Sequence, residues 1–330
     1  MFPKLDVTTT IAAAAFAVVA GVASAQTAAG AMAWWNGTIE TGARGVSAPL
    51  ASRVVEAAGA YEAYMTAAAA MRPDYADGAA VAAALKTGAA YEPRQMQEGA
   101  VAYAALAALQ DPVFVRGVKD AARTPAEADR LAEALLAEPW NVTSIRGAEH
   151  GAGVVAAALK EQGEAVHAAG RRVKQSAYDV QRQGWSKQTV ADRSGRLARS
   201  KALSAARYTP TAQDAERLLA RISDVRTARF GGGQGDFTPT VTRGLALAAL
   251  TVLGRAGEAD AAALTPLMSE PSGASCLRMA KLNLFQCLAV AGPHYEDVFC
   301  LGQHALMDTG QCVAKAAGGQ SPLTTAAAGS

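Results

Sequence analysis

Four cysteines, at positions 276, 287, 300 and 312, are the only ones in a chain of 330 residues. Cysteine at such spacings either forms disulfides or holds a metal. If 276–290 and 301–315 are helices, the pairs 276–287 and 300–312 are too far apart to bridge. Eleven helical residues span about 16 Å, and a disulfide needs Cα atoms within about 7 Å. In an antiparallel hairpin turning at Gly292–Asp297, Cys276 falls opposite Cys312 and Cys287 opposite Cys300, to within one residue. The spacing therefore predicts nested disulfides, Cys276–Cys312 outside and Cys287–Cys300 inside, stapling a hairpin that buries too little to hold itself. A zinc site built from these cysteines with His294 and His304 is the alternative. Zinc sites bring cysteines two to four residues apart, and no such pair occurs, so neither a metal nor a cofactor is expected.

Two other groups of residues carry potential chemistry. Glu149 and His150 lie among Gly147, Gly151 and Gly153, where an acid and an imidazole on a permissive backbone are the weak candidates for a hydrolytic site. No nucleophile elbow, S-x-x-K pair or H-E-x-x-H helix accompanies them. The glycine run near 231 lacks the lysine of a phosphate loop, and Glu62 and Glu98 have no partner for glycosidic cleavage. From Arg171 to Arg207, ten Lys or Arg face only Asp179 and Asp192, in a chain whose net charge is +2. Arg171, Arg172, Lys174, Arg182, Lys187, Arg193, Arg196, Arg199 and Lys201 form the expected binding surface. Its field would attract an acidic envelope protein, an anionic envelope polymer or lipid headgroups. No aromatic interleaving argues for nucleic acid.

The elements that must position these residues are helices. Apolar residues make up 51% of the chain and aromatics only 6%, much of the rest of the apolar content being alanine; that suits helices and not a β-sandwich. Val54, Ala58, Tyr61, Met65 and Ala68 share one helical face, and Met96, Ala100, Tyr103 and Ala107 another. Asp111-Pro112, Thr124-Pro125-Ala126-Glu127 and Thr238-Pro239 read as capped helix starts. From Ala152 to Gly184 small residues and Leu or Val alternate in a heptad seam that includes Gly163 and Gly170. Ala191, Gly195, Ala198, Ala202 and Ala205 repeat the spacing. Paired small seams predict a close-packed, projecting antiparallel hairpin over 152–208.

The cysteine segment is similar to twin-cysteine helical hairpins of the CX9C type, with ten and eleven residues between the cysteines of each arm, over less than a fifth of the chain.

The expected fold is all-α: a multi-helix bundle with a projecting helical hairpin and a disulfide-stapled C-terminal hairpin. Its expected parts are a signal peptide (1–25), an irregular segment (26–47) and a helical domain (48–230) containing the long hairpin (141–208). A glycine-rich linker (231–238), a C-terminal helical subdomain (239–318) and a flexible tail (319–330) follow. The apolar run after Asp6 ends in Ala23-Ser24-Ala25, the pattern of a secretory signal, and no later segment has the ~20 apolar residues of a membrane span. Trp34 and Trp35 are expected to plug into the body. These features predict an exported, non-catalytic scaffold or adaptor. A cell-wall hydrolase centred on Glu149 and His150, or a binder of apolar ligands in an alanine-lined groove, are the alternatives.

Overall fold

A computed structural model describes residues 37–42, 47–227 and 235–318. The segment read as a signal peptide, Trp34 and Trp35, residues 231–234 of the glycine-rich linker and the tail after 318 lie outside the described residues. The fold is all-α. Its only strands among the described residues are β1 (Thr38–Glu40) and β2 (Ser47–Pro49), which pair antiparallel with Ile39 opposite Ala48. They fall in and beside the segment expected to be irregular. Three residues each is too short for an alternation to be legible, and only Ile39 and Ala48 turn inward.

The first helices start where side-chain caps are available. They are α1 (Ser52–Ala69), α2 (Gly78–Ala89), α3 (Pro93–Leu109), α4 (Pro112–Ala121) and α5 (Pro125–Ala137). Asp111 accepts from Val113 N and Phe114 N, and Thr124 and Glu127 close a capping box, satisfying N–H groups that have no partner inside the helix. All five residues expected on the inner face of α1 are buried. Helix α3 goes further, with every residue from Gly99 to Leu109 buried. Six of those eleven are alanine, so neighbours can approach from all sides without overpacking.

Those neighbours come from both ends of the chain. The remaining helices are α6 (Ala148–Val180), α7 (Arg193–Ala205), α8 (Ala212–Thr227), α9 (Pro239–Val252), α10 (Ala261–Met268), α11 (Pro271–Val290), α12 (His294–Cys300) and α13 (Asp308–Ala316). A π-helical turn, Leu301–Met307, joins α12 to α13. Helix α3 packs against α1, α9, α6 and α11, so the parts on either side of the glycine-rich linker share one core.

The stapled C-terminal hairpin has α11 as its first arm and residues 294–316 as its second. Cys276–Cys312 and Cys287–Cys300 join the arms, each with Cα atoms 5.7 Å apart.

The expected hairpin of α6 with α7 does not form. The seam of α6 is real, with Leu159, Gly163, Val166, Gly170, Val173, Ala177 and Val180 all buried, but its partner is the second arm of the stapled hairpin. A Cβ on Gly163 would lie 2.7 Å from Gly310 O and from Ala314 N. One on Gly170 would lie 2.7 Å from Met307 N and 2.8 Å from Gly302 O. Helix α7 instead crosses α11 and α2, and its alanines at 198, 202 and 205 face solvent. Its buried residues are Arg196, Ser200 and Ser204. Arg196 and Ser204 find partners on other helices, while Ser200 donates back to Arg196 O within α7, and a count of small residues overlooks all three.

The two seams must differ by one residue in step, because Gly163 and Gly170 are seven apart while Gly310 and Gly302 are eight apart. The π-helical turn lies between Gly302 and Gly310 and accommodates one additional residue. The same turn lies between Cys300 and Cys312, and it accounts for the one-residue mismatch between the two disulfides.

Glycine has no Cβ to lose at these contacts, so adding one must push two backbones apart. Gly163→Ala and Gly170→Ala are each expected to lower stability by about 1–3 kcal/mol through overpacking, despite alanine's better helix propensity. Gly184→Ala, where a Cβ meets nothing within 4 Å, should stay within about 0.5 kcal/mol. Chemical denaturation of the oxidised protein measures all three. Equal effects at 163 and 184 would contradict the packing.

Candidate functional site

Helix α6 begins at Gly147, whose φ of +85° is a left-handed conformation natural to glycine. A Cβ there would come within 2.9 Å of Val113 O. The close approach expected of this glycine is therefore made to the start of α4 and not to a ligand. His150 sits on the first turn, and its Nδ1 lies 2.8 Å from Asp111 Oδ2. Asp111 is the buried N-cap of α4, so the imidazole is oriented by a carboxylate that also holds two backbone N–H groups. Glu149 is exposed in the same first turn, where a negative charge suits the helix N-terminus. The structure thus brings His150 together with Asp111 rather than with Glu149. An oriented imidazole can accept a proton, but the described cavities lie elsewhere, along α1 and α3 and between α1 and α6.

The basic segment is not a projecting arm. Residues 188–190 are strapped over the turn of the stapled hairpin: Val190 N donates to Gly292 O at 2.9 Å, and His294 N donates to Gln188 O at 3.2 Å. The basic residues consequently divide into three groups. Arg171, Arg172, Arg182 and Lys187 are exposed and have no carboxylate partner among the described residues. Lys174, Arg193, Arg199 and Lys201 are partly occupied. Lys174 donates to Gln303 at 2.8 Å and sits over Phe299. Arg193 donates to the carbonyls of Ala289, Val290 and Ala291 at the end of α11. Arg199 pairs with Asp192, and Lys201 approaches the ring of Phe285.

Arg196 stands alone in the third group. It is 6% exposed, pairs with the buried Asp297 of α12, and donates to Leu288 O and Ala291 O. Burial raises the Asp297 carboxyl above its ordinary value, and the Arg196 guanidinium opposes that shift. Arg196 is therefore no part of a binding surface. It bolts α7 to both arms of the stapled hairpin.

All four cysteines are paired, which removes the thiolates of the zinc alternative. Of its two imidazoles, His304 Nδ1 lies 2.8 Å from Asp308 Oδ2, while His294 packs beside Trp185.

Two buried charges carry weight that the sequence reading did not assign. Lys281 occupies an inward position of α11, in the run Leu277, Lys281, Leu284, Leu288. A lysine inside an apolar heptad stripe is a signal that could have been read. Its Nζ lies 3.4 Å from the centroid of Tyr91 and donates to Ala89 O at 2.8 Å, closing the C-terminus of α2. Burial holds its ammonium well below the usual lysine range. Glu62, isolated in sequence, is buried and accepts from Thr66, Gln162 and Arg221, which ties α1 to α6 and α8. Burial raises its carboxyl, against the pull of those three partners.

Comparisons of the chain with models of protein families, with curated proteins and with solved structures find no match. The two disulfides suit an oxidising, extracellular environment. No helix among the described residues is long and apolar enough to cross a membrane.

Removing one partner of a buried ion pair strands the other. Arg196→Ser is expected to destabilise the protein by about 3–5 kcal/mol. Arg199→Ser, at an exposed pair, should change stability by less than about 1 kcal/mol. Thermal or denaturant unfolding of the two variants separates the structural arginine from the surface one; equal losses would contradict the assignment.

Proposed function

We propose that the protein is exported, to the periplasm or beyond the cell, and works without catalysis as an adaptor that holds an anionic envelope surface. The contact is the basic face formed by the C-terminal half of α6 and the strap that follows it. One observation carries this reading: Arg171, Arg172, Arg182 and Lys187 are solvent-facing cations that pair with no carboxylate among the described residues. A field of this kind recruits anionic partners from solution. Its mounting also supports the reading, since the disulfides and the Arg196–Asp297 pair make the platform stiff, and a preorganised surface loses little entropy on binding. Tyr178 and Val290, 50% and 78% exposed, add apolar contact beside Lys174 and Arg193 and suit a headgroup layer with an apolar boundary.

A hydrolytic site is the second reading, favoured by the carboxylate-oriented His150. None of the described cavities is lined by His150.

Flotation with phosphatidylglycerol vesicles tests the adaptor reading. Binding should fall as salt rises, because surface attraction is screened within about 8 Å at physiological ionic strength. Each surface cation contributes about 1 kcal/mol to attraction by an anionic leaflet. Changing Arg171, Arg172, Arg182 and Lys187 together to Ser should therefore abolish capture while leaving the melting temperature unchanged. Salt-independent binding, or full capture by the quadruple variant, would refute the reading. Retention on an acidic protein or polymer but not on vesicles would move the partner to that class.

A further inference from the structure

A cavity of about 420 Å³ lies away from the basic face, between the N-terminal turns of α1 and α3, the loop after α7 and the end of α10. That is within the usual size range of small-ligand sites, about 300–1,000 Å³. The loop is fixed in place: Gln95 Nε2 donates to Tyr208 O at 2.6 Å, Tyr208 N donates to Gln95 Oε1 at 2.8 Å, and Pro210 rests on α1 at Gly59.

Both signs of charge line this cavity, as two guanidinium and two carboxylate groups. Arg207 and Glu98 satisfy each other at 3.1 Å. Arg53 and Glu56, one helical turn apart on α1, are not fully satisfied. Arg53 Nη1 donates to Ala261 O at 3.0 Å and to Thr265, but its Nε is buried with no partner. Glu56 accepts no hydrogen bond among the described residues, although its carboxyl is only partly exposed. Burial and the neighbouring Glu258 raise the Glu56 carboxyl above its ordinary value, against the pull of Arg53. A buried donor without a partner is unfavourable, and a half-buried carboxylate without one is likewise unusual. The Arg53 Nε is enclosed, so a ligand would reach Arg53 through Nη2, which makes no hydrogen bond among the described residues and is not enclosed; one that offers an anion there and a cation to Glu56 would satisfy both groups. Ala57, Pro210 and Met268 supply an apolar wall between and beside the charged groups.

From this geometry we infer that the cavity binds a small zwitterion with an apolar side chain, an α-amino acid or dipeptide. Its carboxylate accepts from Arg53 and its ammonium lies against Glu56. The site goes beyond the adaptor reading and does not depend on it, since none of its residues belongs to the exposed basic set on α6 and the strap.

Isothermal titration calorimetry on the oxidised full chain tests the proposal with four probes: L-leucine, L-alanyl-L-leucine, N-acetyl-L-leucine and L-leucinamide. At least one of the first two should bind, and the two blocked compounds should bind at least about tenfold more weakly than L-leucine or the dipeptide, whichever binds. The relative affinities of L-leucine and the dipeptide then distinguish the free amino acid from the peptide. Glu56→Gln removes the charge without removing any hydrogen bond present in the structure, so an unchanged thermal melt should accompany it. It should weaken the zwitterion about tenfold and leave N-acetyl-L-leucine unaffected. No binding of L-leucine or the dipeptide up to about 10 mM would overturn the proposal. So would equal binding of free and blocked compounds, or full affinity in the Glu56→Gln protein.

Discussion

The contact on which the rest of this structure depends is the near-touching of two backbones, α6 against the second arm of the stapled hairpin. Gly163 meets Gly310 and Gly170 meets Gly302, at separations only glycine permits. Long helices with small seams gain dispersion and area burial in proportion to how closely they approach. That gain compensates for four glycines, each about 1 kcal/mol poorer in a helix than alanine. The π-helical turn at Leu301–Met307 belongs to the same contact. Without the residue it accommodates, one glycine pair could face its partner only if the other slipped out of step, and the disulfides would be misaligned in the same sense.

Around that contact the molecule is assembled by polar fasteners. Arg196 with Asp297, Lys281 with the end of α2, and Glu62 with Arg221 each join helices far apart in sequence. Alanine-rich helices offer small and rather similar surfaces, which could pack in several registers at little cost. A buried charge that finds its partner in one arrangement only makes the alternatives expensive, because a desolvated charge left alone costs several kcal/mol. The basic strap inherits its place from this scheme: Arg196 fixes α7, and residues 188–190 are pinned across the turn of the stapled hairpin.

Much of this was legible in the sequence, and the parts that were not have a physical reason. The helix starts at Asp111, Thr124 and Thr238 are local chemistry, and the structure uses them as caps. The cysteine register is arithmetic on one hairpin, and the nested pairing is the one found. The seam at Gly163 and Gly170 was visible as well, but a heptad states that a partner is close and not which partner it is. Helix α7 carried a matching pattern and lay next in the chain, whereas the true partner lies well over a hundred residues on and is matched only through a π-helical turn. The candidate basic surface was legible as charge. Arg196 was counted with it because charge in sequence says nothing about burial, and its carboxylate lies on a helix about a hundred residues away.

Glycine-to-glycine Hα contacts report the central packing directly, without perturbing it. Nuclear Overhauser spectra of the oxidised protein, labelled with carbon-13 at glycine, should show contacts between Gly163 and Gly310 and between Gly170 and Gly302. Contacts of Gly163 and Gly170 with Ala198 or Ala202 of α7 in their place would mean that α6 closes on its neighbour in sequence, and would contradict the structure described for this protein.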